Sequence, residues 1–156
     1  MSSNRAIELP RGGPFILGVL IFGVVATVAY WVVWFGIDRE ILASAHTASY
    51  YAFETSFPLA DLWMTLAGFA ASIALVRRRA SALLWCIAAG SISIYLALLD
   101  VLFDLENGIY RSPDTGGVIV EVVINVLTLS MGVVVLIWAW RSRRALMAMS
   151  ERRRAR

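Results

Sequence analysis

The feature that most restricts this chain is the length of its uninterrupted apolar runs, which cover Pro14 to Gly36, Pro58 to Val76, Ala82 to Asp100 with an extension toward Phe103, and Gly117 to Trp140. Crossing about 30 Å of hydrocarbon takes roughly 20 helical residues, and each run is about that long. A backbone inside a bilayer must satisfy its own hydrogen bonds, so the candidates are helices and closed barrels. Barrel strands alternate apolar and polar positions over about ten residues, whereas these runs are continuous. We therefore read an all-α chain, an integral membrane four-helix bundle, with residues 1–140 as one four-span domain and residues 141–156 as a basic tail. Composition agrees. The chain is 60% hydrophobic, above the roughly 45 to 50% of soluble domains, and its mean hydropathy of +0.74 excludes a soluble globular enzyme.

The charges lie between the runs and are sorted by sign. All 14 basic residues are Arg, so lysine Schiff-base chemistry is excluded. Cys86 stands alone, which excludes an internal disulfide or a CxxC pair. If both termini and the Arg77-Arg78-Arg79 turn share a side, that side holds twelve Arg against two, Arg39 and Arg111, on the other. The positive-inside bias then predicts cytoplasmic N and C termini. Nine of the 11 acids fall at or beyond the opposite half, which makes the outer face acidic. The tail from Arg141 to Arg156 is expected to touch anionic lipid headgroups. Absence of Lys and Gln fits a GC-rich bacterial coding bias and points to a bacterial plasma membrane. Ala43-Ser44-Ala45 resembles a leader cleavage site, but the preceding run of 23 residues exceeds a leader's apolar core and is kept as a span.

At 1.5 Å per residue, distance from the arginine-rich boundary becomes depth. Asp61 and Asn125 then lie about 22 Å up, and Asp100 and Glu121 about 27 to 29 Å up, with Asp104 one turn beyond. Helical spacing aligns Asp61, Thr65, Gly68 and Ser72 on the second span, and Glu121, Asn125, Thr128 and Gly132 on the fourth. The third aligns Asp104, Asp100, Ala97, Ser93 and Cys86, and the first Trp34, Tyr30, Thr27 and Gly23. Packed inward, these stripes make an acidic mouth above a hydroxyl-lined middle. Small residues also pack membrane helices without any ligand, but a carboxylate in hydrocarbon faces a cavity or a partner. The candidate ligand- or ion-binding residues are therefore Asp61, Asp100, Asp104, Glu121, Asn125, Thr65, Ser93 and Thr128.

In the first outer loop Asp38 is placed to cap a short helix. If that helix continues, His46, Tyr50 and Glu54 share one face and form a second candidate group. Tyr50, Tyr51, Phe53 and Phe57 are expected to form an interfacial aromatic belt. One His without a second at ligand spacing is a poor metal motif, and the alternating acid pattern of a calcium loop is absent. No metal site and no cofactor is assigned, although a divalent cation at the acidic mouth stays open. Asn107-Gly108 should stop the third helix in the left-handed conformation.

Three classes of function remain. The first is a small transporter or ligand-binding bundle taking a cation, proton or small amine at the acidic mouth. The second is a membrane enzyme acting on a lipid or isoprenoid-like substrate with a buried carboxylate as acid or base. The third is a non-catalytic subunit of a larger membrane complex. Transport through so narrow a bundle calls for a homodimer or larger assembly. Nucleotide and nucleic-acid roles are not expected, since no phosphate-binding loop is present and the Arg cluster faces headgroups.

Overall fold

A computed structural model describes residues 9–154, with side chains through Met149. Arg5, Glu8 and Arg156, which enter the charge counts above, lie outside the described residues, as do the side chains of Glu151 to Arg154. The described chain is all helical: α1 (Gly13–Gly36), α2 (Ala48–Glu54), α3 (Pro58–Val76), α4 (Ala82–Asn107) and α5 (Thr115–Arg154), with 3-10 turns at Arg39–Ile41 and Ile109–Arg111. Four helical segments are long and apolar enough to cross a membrane, the second formed by α2 and α3 together.

Local chemistry sets the boundaries. Proline at the start of α1 and of α3 occupies a position whose missing N–H costs nothing. Gly108 ends α4 at φ 69°, as Asn107-Gly108 predicts. The reversal between α3 and α4 is closed by Arg78 N–H to Leu75 O at 3.0 Å and Arg79 N–H to Ala74 O at 2.8 Å, and it leaves Arg78 at φ 51°. After Trp140, α5 continues without a break through the arginine-rich segment, and Leu146 and Met149 on that extension are buried.

The long helices pack in the cyclic order α1, α3, α4, α5, with the α4–α5 seam the most extensive and the α1–α5 seam the least. Glycine explains the tightest approach. A Cβ on Gly132 would stand 2.9 Å from the Gly90 carbonyl oxygen, and one on Gly90 would stand 2.9 Å from the Gly132 carbonyl. The main core occupies the end bearing Arg77 to Arg79. There Ala67, Ala71, Ala82 and Ala139 are fully buried with Leu75, Cys86 and Leu146. A smaller cluster of Trp34, Ala43, Tyr50 and Ile109 closes the opposite, acidic end. Val25, Phe35, Phe69, Leu84 and Val126 are exposed, part of an apolar exterior far beyond the patches of water-soluble monomers.

Candidate functional site

Helix periodicity turns one stripe of each long helix inward, and between the stripes lies a cavity of about 220 Å³ lined by α1, α3, α4 and α5 together with Glu54 of α2. Its deep part is apolar, walled by Leu20, Gly23, Met131 and Val135. Thr27, Thr65, Ser93 and Thr128 form the middle, one hydroxyl from each long helix, as their spacing predicts. Ser93 Oγ donates to Ala89 O at 2.8 Å, so that hydroxyl is satisfied within its own helix. Glu54, Asp61, Asp100 and Glu121 ring the acidic end. Phe22 and Leu127, on α1 and α5, line the cavity and are 54% and 44% exposed. Both stand at the α1–α5 seam, the least extensive of the four.

The acids fall into two groups. On the α1 side, adjacent aromatic residues each hold one carboxylate. Tyr30 Oη donates to Glu54 Oε2 at 2.9 Å, and Trp31 Nε1 donates to Asp61 Oδ2 at 2.8 Å. Thr47 makes the first contact possible. It caps α2 by accepting the Tyr50 N–H at 3.2 Å, and one turn beyond Tyr50 the helix carries Glu54 inward. Tyr30 stacks on Trp34 with ring centroids 5.9 Å apart, which steadies the phenol.

On the α4–α5 side, Asp100, Asp104 and Glu121 each bring a carboxylate oxygen within 4.8 Å of the others. Asn125 Nδ2 donates to Asp104 Oδ2 at 2.9 Å and to Tyr110 Oη at 3.1 Å. Tyr50 Oη donates to Glu121 Oε2 at 3.3 Å while accepting the Ser44 N–H at 3.2 Å. Burial, then the neighbouring Asp104, pushes the Tyr110 hydroxyl above its ordinary range, so it stays a neutral phenol. Asp104 and Asn125 are 0% and 4% exposed, and Asp104 Oδ1 and Asn125 Oδ1 have no hydrogen-bond partner.

Several expectations need correction. The loop after Asp38 does not continue as a helix. Asp38 Oδ1 does accept the Glu40 N–H at 2.9 Å, but only a 3-10 turn follows, and α2 starts afresh behind Thr47. His46 therefore shares no face with Tyr50 and Glu54. It is exposed, with Nδ1 2.8 Å from Glu40 and 3.0 Å from Tyr51 Oη. Tyr50 is 1% exposed and belongs to the interior, not to an aromatic belt. Cys86, on the inward stripe of its helix, packs as a small apolar residue in the alanine core at the arginine end. Tyr30, Trp31 and Tyr110 were not singled out as carboxylate or amide partners. Tyr30 lay on a recognised stripe, but Trp31, one residue off it, had no periodic signal to mark it.

No known protein family, curated protein or solved structure matches this chain.

Proposed function

We propose that the chain is a membrane ligand-binding bundle, the binding unit of a small transporter, for a small amphipathic cation such as a primary or secondary amine. One observation carries this reading: a single cavity with an apolar body ends in a ring of four carboxylates. The charged head would sit between Glu54 and Asp61, which both line the cavity and each offer a second carboxylate oxygen beyond the one bonded to Tyr30 or Trp31. The apolar part would fill the deep end beside Met131 and Val135. At about 220 Å³ the space is smaller than the roughly 300 to 1,000 Å³ of drug-sized sites, which favours a small molecule. The least extensive seam, α1–α5, where Phe22 and Leu127 line the cavity, favours entry from the lipid phase.

We further propose that both termini are cytoplasmic, that the acidic end faces outward and that the membrane is a bacterial plasma membrane. The twelve-to-two partition of Arg supports the orientation, and the arginine-rich end of α5 would lie against anionic headgroups.

Thermal unfolding in lipid nanodiscs tests the ligand class, with short aryl-alkyl amines compared against the matching alcohols. Amines should raise the midpoint saturably and alcohols should not. Combined Glu54→Gln and Asp61→Asn substitution should remove the difference. Equal responses to amine and alcohol in the unaltered protein would overturn the reading.

A further inference from the structure

We propose that the groove between α1 and α3 at the arginine end binds one anionic phospholipid, with an acyl chain along the helices and the headgroup on Arg77. The groove shares no residue with the ring of carboxylates, so the site stands apart from amine binding. It has a volume of about 350 Å³. Leu17, Ile21 and Val25 of α1 line it together with Phe69, Ile73 and Val76 of α3. Ile21, Val25, Phe69 and Val76 are 48%, 60%, 56% and 63% exposed, so the groove is open to whatever surrounds the helices.

The helices touch at its deep end, where a Cβ on Gly68 would stand 3.1 Å from Val24 Cγ2. From Phe69 to Arg77 is eight residues, about 12 Å along the axis at 1.5 Å per residue. Besides Arg77, the one polar side chain in the lining is Ser72. Its hydroxyl donates to Gly68 O at 2.9 Å, so it is satisfied within its own helix. The groove therefore offers hydrocarbon contact along its length and a guanidinium at one end, which is the polarity of an acyl chain below a phosphate.

Charge complementarity selects the occupant. Arg77 is exposed and directly follows Val76, where the apolar run stops, so its guanidinium stands at headgroup level. Arg78 and Arg79 follow in the same turn and are exposed as well. Among the described residues both ion pairs involve Glu40 in the loop at the opposite end of the bundle, and neither includes Arg77. A guanidinium can hold a phosphate through two parallel hydrogen bonds. A zwitterionic phospholipid has the same chain and phosphate but brings its own cation beside three arginines. An anionic headgroup meets the triple-arginine turn without that repulsion.

The test is native mass spectrometry of the delipidated full chain in uncharged detergent, titrated with phosphatidylglycerol, with phosphatidylcholine of the same chains, and with glycerol phosphate as the headgroup alone. Phosphatidylglycerol should saturate at one tight site per chain, at least fivefold tighter than phosphatidylcholine, and glycerol phosphate should not bind. Arg77→Gln should cost phosphatidylglycerol about fivefold, the size of one arginine's attraction to an anionic surface, and leave phosphatidylcholine unchanged. Arg144→Gln, which removes an exposed arginine from α5, should cost less than twofold. Ile21→Trp, which fills the groove, should weaken both lipids at least fivefold; if it disturbs the helical circular dichroism spectrum, Val25→Trp replaces it. Equal affinity for the two phospholipids would overturn the proposal, as would equal losses with Arg77→Gln and Arg144→Gln, which would make the attraction a diffuse property of the arginine end. Binding of glycerol phosphate as tight as that of the lipid, or full affinity in the groove-filling variant, would remove the acyl chain from the groove and equally overturn it. A two-chain mass that is lost in the groove-filling variant would assign the groove to a second copy instead.

Discussion

The two ends of the bundle are built on opposite principles. At the arginine end, alanines that are fully buried bring the helices together, and Leu75, Leu146 and Cys86 fill the remaining space. At the acidic end the same helices stand around a cavity and turn carboxylates into it. One end is closed and almost wholly apolar. The other holds three buried oxygens without partners, on Ser44, Asp104 and Asn125, an arrangement that costs stability. The contrast indicates where each kind of substitution should act: the closed end holds the fold together, and the hollow end carries unpaired polar groups at a cost to that stability.

The largest effect should come from forcing the α4–α5 seam apart where it is tightest. In Gly132→Val the new Cβ would meet a backbone oxygen at 2.9 Å, and a carbonyl within a helix cannot swing away as a side chain can. We expect a loss of about 3 kcal/mol, at the upper end of overpacking costs, read as a much lower midpoint and aggregation on size exclusion. An unchanged midpoint would mean that the seam is loose and that the two ends do not differ as described.

Next in size is Leu146→Ala. This residue lies beyond the last apolar run but is fully buried. Removing a buried leucine should cost about 2 to 3 kcal/mol, whereas a residue on a surface tail should cost almost nothing. Met147→Ala, at a position 51% exposed, is the matched control. Equal midpoints for the two variants would detach the end of α5 from the closed core.

The comparison of ends also separates what was legible in the sequence from what was not. Apolar run length located all four long helices, because a span needs only length and hydrophobicity. The hydroxyl tier of Thr27, Thr65, Ser93 and Thr128 followed from periodicity, since equal depth on facing stripes brings residues together whatever the crossing angles. The partners of the acids did not follow. Whether Trp31 or Trp34 meets Asp61 depends on a rotation of about 100° per residue about the α1 axis, and that is set by packing. The apolar pattern is too uniform to fix it, since every face of α1 is hydrophobic. His46 parts from Tyr50 and Glu54 because Thr47 caps α2 just after it, so the helix begins beyond the imidazole, while Tyr50 and Glu54 keep their shared face. Leu146 was missed because seven arginines from Arg141 onward hid a buried stripe within a basic segment.

At the hollow end, single neutralisations should change stability little. In Asp61→Asn the indole of Trp31 still finds an oxygen, and in Glu54→Gln so does the phenol of Tyr30. Each midpoint should stay within about 0.5 kcal/mol of the parent or rise, as expected where a site holds acids at the expense of stability. A fall comparable with Leu146→Ala would show these carboxylates to be structural, and the division between the ends would fail.

The smallest effect belongs to the turn that joins α3 to α4. Arg78 adopts φ 51°, a left-handed conformation that costs a residue with a Cβ roughly 1 kcal/mol and glycine almost nothing. Arg78→Gly should relieve that strain but enlarge the unfolded ensemble, which returns about 0.4 to 1 kcal/mol. The net change should be a gain of no more than about 0.5 kcal/mol. Arg78→Ala removes the same guanidinium and keeps the strain, so the midpoint difference between the glycine and alanine variants isolates the backbone contribution from any role of the charge. Glycine above alanine would show that the closed end tolerates strain at its boundary because its packing over-determines the turn. Alanine clearly above glycine would mean that the left-handed geometry is not retained, and that Leu75 and Ala82 on either side of the turn do not hold it in place.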